Sequence, residues 1–430
     1  MILAGGKIFP PSEQNKILER LEEKINLTLA YERLDEKTVI DAADRLGEKI
    51  RGGAFDDIIR SFSEENFGEY VKTAAMLMKR ENIEYRLAAE LGADLGKKCE
   101  ITPLYGIERA EVRFMPLGTL FHIAAGNADG LPAFSVLEGL ITGNVNILKL
   151  PEADNGLSIE IFKQFIEIEP ALKNYIYVFD TPSSDAAAMR KMAYIADGIV
   201  VWGGDPAVKA VRTLAPPGAN IIEWGHKLGF AYISGYENKS EELSALAGHI
   251  ISTRQLLCSS CQTIFVNTDS LCETEKFCAD FLPYLENAAA NHPISEIGVS
   301  AEVTLQNYNS ILENALGTDI PNVRIFQGKG CSLTMLSDSD LELSYMYGNC
   351  LVKPLPENNL LAVLRKSKGY LQTAGLICSK ESRSRLAELL IRSGVNRVMR
   401  AGNMSVSFCG EAHDGEYPLR RYMRIVNMEK

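Results

Sequence analysis

Cys258 lies in Thr253-Arg254-Gln255-Leu256-Leu257-Cys258-Ser259-Ser260-Cys261-Gln262, directly before the apolar run Thr263-Ile264-Phe265-Val266. A thiol in a short polar link between a helix and a strand can be an exposed nucleophile held rigidly from both sides. It would then act on acyl groups. A buried packing cysteine is the ordinary alternative, and residue type and spacing leave the two readings evenly matched. A helix C-terminus does not favour an anion. Thiolate stabilisation would have to come from turn N–H groups or a nearby cation, with Lys227 the candidate. Cys258 and Cys261 also form a Cys-x-x-Cys pair. A zinc site would need a second close pair, and the spacing of Cys272 and Cys278 fits poorly, so no metal is expected. Cys261 reads as a bystander.

Other residues could complete a site. In Gly118-Thr119-Leu120-Phe121-His122-Ile123-Ala124-Ala125-Gly126-Asn127 a strand runs into a small-residue loop. Asn127 could place its amide against a developing oxyanion, or simply shape a turn. Lys149 and Glu152 follow the strand Val145–Leu150, at the carboxyl edge where open α/β sheets bind ligands. They suit ribose hydroxyls or phosphates, or form a solvated strand end. Gly203 and Gly204 sit where a strand meets the helix start Asp205-Pro206; they allow a phosphate turn or an ordinary one. Glu223 ends another apolar strand, as a general base or a solvated carboxylate. His413-Asp414-Gly415 reads as turn and wall rather than as acid/base.

These residues need elements to hold them. Ile40, Ala43, Leu46 and Ile50 recur at helical spacing, and Phe67 to Leu95 continues in helix formers. The first hundred residues therefore read as a helical cover. From about Gly118 short apolar strands alternate with helices. The strands are Leu120–Ala124, Val145–Leu150, Tyr175–Phe179, Gly198–Trp202, Asn220–Glu223 and Phe230–Ile233. The pattern implies a doubly wound parallel sheet. A polar break at Glu237–Glu242 reads as a boundary before a second β/α series. Met404–Cys409 and Tyr422–Met428 alternate as strands would. The expected division is 1–104 helical, 105–236 dinucleotide-binding, 237–403 catalytic and carrying Cys258, and 404–430 as C-terminal strands for oligomerisation.

Composition excludes several classes. The 430 residues are 46% hydrophobic and 23% charged, with a net charge of -11. No basic run suggests nucleic-acid binding or an anionic membrane. No apolar run reaches the ~18 residues of a membrane span. Met1–Lys7 lacks the basic opening and long apolar core of a secretory leader. Nine scattered cysteines suit reduced thiols in a cytoplasm.

In their order these pieces resemble the aldehyde dehydrogenase superfamily. The Asn127 loop comes first. Gly143-Asn144 with Lys149-x-x-Glu152, Gly203-Gly204, Glu223-x-Gly225-x-Lys227 and Cys258 then follow. Gly402-Asn403-Met404-Ser405, Gly410-Glu411-Ala412-His413-Asp414-Gly415, Leu371-Gln372-Thr373 and Cys258-Ser259-Ser260-x-Gln262 narrow the likeness to the acyl-CoA reductase (LuxC) family. The resemblance implies an aldehyde-dehydrogenase-like fold with two doubly wound α/β domains, a helical N-terminal region and a small β tail.

It also implies an acyl-CoA reductase, in which Cys258 attacks an acyl-CoA thioester. Asn127 would hold the oxyanion, and NADPH or NADH would reduce the acyl-enzyme to an aldehyde. Lys149 and Glu152 would meet the adenosine ribose, Gly203 and Gly204 the pyrophosphate, and Glu223 matches the superfamily's general base. The family favours NADPH, whereas Glu152 facing the ribose would repel a 2′-phosphate and favours NADH. A homo-oligomer and an acyl-activating or acyl-transfer partner enzyme are further implications. Two features depart from the pattern. Gln255-Leu256-Leu257 replaces the superfamily's Gly-Gln, and Tyr345 stands where the glutamate of the nicotinamide-ribose motif would be. The alternatives are an aldehyde or semialdehyde dehydrogenase working oxidatively with Glu223 as base, and a non-catalytic nucleotide-binding paralogue.

Overall fold

A computed structural model describes residues 1–58, 68–92, 99–101, 110–124, 131–292, 297–316 and 324–429. Two compact units emerge: Met1–Gly225 with Phe408–Lys430, and His226–Ser407. No described helix is long and apolar enough to cross a membrane.

The first unit is built on a seven-stranded sheet. Its strands are β1 (Ile2–Ala4), β2 (Lys7–Phe9), β5 (Thr119–Ile123), β6 (Val145–Lys149), β7 (Ile176–Phe179), β8 (Gly198–Trp202) and β9 (Asn220–Trp224). Their order is β2-β1-β7-β6-β5-β8-β9. From β7 to β9 all pairs are parallel. Strands β6 and β7 are buried at every position, which is why they read as unbroken apolar runs. The chain leaves β5 toward β6 on one side and later returns to β8 on the other. The crevice beyond the carboxyl ends of β5 and β8 is therefore a topological switch point, where such sheets take ligands.

Two antiparallel strands at the start extend this sheet. Gly5 (φ 57°) and Gly6 (φ 73°) make their tight turn in the left-handed region that glycine tolerates. The helical start is thus preceded by a hairpin that the residue pattern did not announce. Helix Glu36–Arg51 buries Val39, Ile40, Ala43, Leu46 and Ile50 into the same core as helix Leu157–Ile168. Each of Val39, Ile40, Leu46 and Ile50 contributes roughly 1.5–3 kcal/mol of apolar burial. A three-stranded antiparallel sheet of β17 (Met423–Glu429), β4 (Ala110–Pro116) and β3 (Cys99–Ile101) completes the unit.

The second unit holds β10 (Leu228–Ser234), β11 (Cys261–Val266), β12 (Arg324–Gly328), β13 (Cys331–Met335), β14 (Asn349–Pro354), β15 (Leu371–Cys378) and β16 (Arg397–Arg400). The order is β12-β13-β14-β11-β10-β15-β16, parallel except for β12 with β13.

Two expectations meet a different arrangement. Phe230–Ile233, expected to end the first series, lies in β10 at the middle of the second sheet, between β11 and β15. The units divide at Gly225/His226, and the polar stretch around Glu237 caps helix Lys239–Ser252: the Asn238 side chain accepts from the Glu241 amide. Met404–Cys409 does not form a strand. The Arg397 guanidinium takes the Met404 and Val406 carbonyls at 2.9 and 2.8 Å, satisfying a backbone that has no ladder. Met404 is fully buried against Gly375, where a Cβ would stand 2.9 Å from Met404 Cγ.

Candidate active site

The turn that carries Cys258 is built on strain and its relief. Helix Lys239–Ser252 ends six residues before the thiol. Arg254 (φ 49°) and Gln255 (φ 60°) then take left-handed conformations in succession. Each costs of order 1 kcal/mol for a residue with a Cβ and persists only when its surroundings over-determine it. Here the Gln255 side chain does so. It is fully buried. Its Oε1 accepts the Gly348 amide at 2.9 Å, and its Nε2 donates to the Cys261 carbonyl at 2.8 Å and Ser344 Oγ at 3.0 Å. Its backbone carbonyl accepts Gln262 Nε2 at 2.7 Å, and the Arg254 carbonyl accepts the Tyr347 amide at 3.0 Å. A second left-handed run, Met346, Tyr347 and Gly348, thus locks onto the first.

The turn itself closes between Leu257 and Ser260. The Leu257 amide donates to Ser260 Oγ at 3.1 Å, and the Ser260 amide to the Leu257 carbonyl at 2.9 Å. Ser259 Oγ shares a hydrogen bond with Ser405 Oγ at 2.7 Å. Gly229 makes room underneath: a Cβ there would lie 2.8 Å from the Ser259 carbonyl oxygen and closer still to that of Ser260. The Cys261 amide donates to His249 Nε2 at 3.3 Å. Burial lowers His249 to about 4, so its imidazole is neutral and able to accept. Cys258 ends exposed while Cys261 is buried in β11.

The thiol lies at the amino edge of the second sheet, just ahead of β11. Gln372, 3% exposed and near the start of β15, donates through Nε2 to Cys258 Sγ at 3.1 Å. Thr373 Oγ1 donates to Gln372 Oε1 at 3.3 Å, and the Gln372 carbonyl accepts the Asn396 amide at 3.1 Å. Lys227, the cation expected beside the thiol, gives its ammonium to the Gly369 carbonyl at 2.8 Å. In the amino-acid sequence Gln372 stands out only as part of the Leu371-Gln372-Thr373 motif. A signal is present: a glutamine at the second position of a strand, Leu371–Cys378, whose later residues are small or apolar.

Five other predicted residues lie at the carboxyl edge of the first sheet. Lys149 ends β6 and is 5% exposed. Burial pushes its amine below the usual lysine range, while the carboxylates of Glu152 and Asp180 pull it back. Glu152 is exposed in a short 3-10 turn, whose Asp154 caps the next helix through the Ser158 amide at 3.0 Å. Gly203 follows β8, with its amide bound to the Trp224 carbonyl at 3.1 Å. Gly204 caps helix Asp205–Leu214. Glu223, on β9, receives Arg212 in a two-pronged ion pair, at 2.5 Å from Nε and 2.6 Å from Nη2. His413 packs against Trp202 and Trp224, with ring centroids 5.1 and 5.0 Å away. Asn127 lies outside the described residues.

The Gly143-Asn144 motif has a structural task. Asn144 Oδ1 accepts the Gly118 amide at 2.9 Å, and its Nδ2 donates to the Tyr422 carbonyl at 3.0 Å, tying β6 to the C-terminal segment. Asn146 Oδ1 lies 3.0 Å from Nε2 of His122, which burial lowers to about 4.

Comparison with known proteins bears on the family and the fold. The family model of the acyl-CoA reductases (LuxC) matches residues 37–425. The long-chain acyl-protein thioester reductase of Photorhabdus luminescens is 23% identical over 343 residues, covering 75% of this chain and 66% of that protein. The long-chain acyl-protein thioester reductase of Aliivibrio fischeri is 24% identical over 337 residues, covering 74% and 65%. The chain thus spans just under two thirds of these relatives' length. Among solved structures, methylmalonate-semialdehyde dehydrogenase from Oceanimonas doudoroffii superposes with a TM-score of 0.76 at 12% identity, covering 100% of this chain and 97% of that one. NADP-dependent glyceraldehyde-3-phosphate dehydrogenase from Bacillus halodurans C-125 gives 0.72 at 13% identity, covering 100% and 98%. The fold is therefore that of the aldehyde dehydrogenases. With nine tenths of its residues inside the family match, the chain belongs to the acyl-CoA reductase (LuxC) family.

Proposed function

We propose that this protein reduces an acyl thioester to an aldehyde through a covalent acyl-cysteine at Cys258. One observation carries the reading: an exposed thiol on an over-determined turn, with a side-chain amide donating to its sulfur. The Cys258 thiolate attacks the acyl carbonyl, the C–S bond to the carrier breaks, and the carrier leaves as its thiolate. The acyl group is then a thioester of Cys258. The resemblance assigns the oxyanion to Asn127 together with the Cys258 amide. A nicotinamide cofactor, NADH or NADPH, would supply the hydride when bound; as the acyl carbon takes it, the C–S bond to Cys258 breaks, the aldehyde leaves and the Cys258 thiolate is regenerated.

The first unit suits such a cofactor. Gly203 and Gly204 lead into the N-terminus of helix Asp205–Leu214 beside the switch point, a setting that favours phosphate. Lys149, with Glu152 and Asp180 near it, is our candidate for the ribose contact. Those carboxylates disfavour a 2′-phosphate, so NADH is the better fit. The carrier is either CoA or a protein thiol, the second being the chemistry in the relatives' names.

Reduction needs no activated water. Glu223, with both oxygens engaged by Arg212, is not required to make one. This argues against the oxidative reading. Self-association is proposed through β17, where Ile425 and Met428 are 63% and 42% exposed beside an open strand edge. A cytoplasmic location is proposed from the nine scattered cysteines, which do not read as a disulfide framework.

The test is oxidation of NADH or NADPH, followed by absorbance, with long- and short-chain acyl-CoA and acylated carrier protein as donors. Cys258→Ser is expected to abolish it. Full activity in that variant would remove the nucleophile from the scheme.

A further inference from the structure

We propose that Gln372 is a catalytic residue, whose side-chain amide donates the hydrogen bond that holds Cys258 as a thiolate, with Thr373 and Arg397 positioning that amide. The inference rests on Cys258 being the nucleophile and identifies what activates it.

A thiolate in this turn needs a stabiliser. The preceding helix ends at Ser252, and a helix C-terminus would oppose an anion. The Lys227 ammonium donates to the Gly369 carbonyl at 2.8 Å. Gln372 Nε2 is 3.1 Å from the sulfur. A hydrogen bond to a charged acceptor is about twice as strong as one between neutral partners, so this donor favours the thiolate over the thiol. It also favours the thiolate over the acyl thioester, whose sulfur is a weaker acceptor.

An amide can point either end at its neighbour, and the wrong end would repel the anion. Two bonds choose the end. Arg397 Nη1 donates to Thr373 Oγ1 at 3.4 Å. The Thr373 hydroxyl proton is then directed to Gln372 Oε1 at 3.3 Å. That leaves Nε2 facing the sulfur. Arg397 is itself fixed by the Met404 and Val406 carbonyls at 2.9 and 2.8 Å. Its charge is buttressed by backbone, so the relay is oriented before substrate arrives.

The experiment is the pH dependence of iodoacetamide alkylation of Cys258 in the full-length protein, with the modified peptide quantified by mass spectrometry. Wild type is expected to titrate below the ~8.5 of a free cysteine. Gln372→Leu removes the donor at similar size and is expected to raise the midpoint by about one pH unit, roughly a tenfold loss of thiolate at neutral pH. Gln372→Glu puts a carboxylate against the sulfur and raises it further. Thr373→Val keeps its shape but frees the amide to turn, and gives a smaller rise; it guards against a Gln372 variant that fails to fold. Midpoints unchanged in Gln372→Leu, or in Thr373→Val where the former does not fold, would overturn the inference. The nucleophile reading fails separately, if Cys258→Ser retains acyl reduction.

Discussion

Arg212 holds both carboxylate oxygens of Glu223, at 2.5 and 2.6 Å, along the rim of the first sheet. A residue that matches the superfamily's general base is thus bound to a partner from the neighbouring helix, Asp205–Leu214. In a reductase this is consistent, since a free base beside an acyl-enzyme would promote wasteful hydrolysis. Glu223→Gln is expected to keep acyl reduction within about threefold of wild type, as removal of a general base would instead cost ~10²–10⁴. Steady-state NADH oxidation measures it, and a hundredfold loss would restore the base.

Gln255 is expected to be the most sensitive residue outside the thiol's own contacts. Gln255→Leu strands the Gly348 amide in the interior and leaves the Cys261 carbonyl only the weak Cys350 thiol donor at 3.8 Å. Unpaired buried groups cost ~1–3 kcal/mol each, so a loss of about 2–4 kcal/mol in urea unfolding is expected. Alkylation of Cys258 should slow as well, because the two left-handed residues lose their support. Unchanged stability would show that the turn holds by other means.

Gly229→Ala tests the floor of the turn. Its Cβ would meet two backbone carbonyls, of Ser259 and Ser260, which cannot swing aside as a side chain can. Overpacking of this kind costs ~1–3 kcal/mol. The expected phenotype is a lower melting temperature together with a fall in kcat, because relief of the clash moves Cys258. A variant with wild-type kcat would mean that β10 yields instead.

His249 predicts a pH dependence. Its folded value is lowered to about 4 by burial, below the unfolded value of ~6.5. The unfolded chain therefore binds the extra proton first. The stability contribution is complete above about pH 6.5 and declines as pH falls toward 4, by ~2 kcal/mol at about pH 5. His249→Gln keeps an acceptor and removes the titration. The difference in urea stability between variant and wild type should therefore shift in the variant's favour between about pH 7 and 5. A constant difference would contradict the assignment.

Cofactor choice follows from the carboxylates around Lys149. NADH is expected to give the higher kcat/KM, and Glu152→Ala should raise the NADPH value relative to NADH several-fold. A preference for NADPH in wild type, unchanged by the substitution, would place the ribose elsewhere.

Much of the architecture was legible because its causes are local. Buried parallel strands such as β6 and β7 must be apolar at each position, and helix Glu36–Arg51 must repeat its apolar residues along one face. The Cys258 turn was legible because a short polar link sits between a helix and a strand. Other features were hidden by distant partners. Met404–Cys409 alternates like a strand, yet Arg397 takes up its carbonyls. Phe230–Ile233 looks like the end of the first series, yet pairs with β11 and β15.

The amino-acid sequence by itself determined the β/α alternation, the family pattern and which thiol stands at a turn. Those depend on residue type and on neighbours a few positions away. Only the tertiary structure decided what faces that thiol. Gln372 is 114 positions from Cys258, and Gly348 is 93 from Gln255. Hydrogen bonds across such intervals are set by sheet order and strand register, which no local spacing encodes.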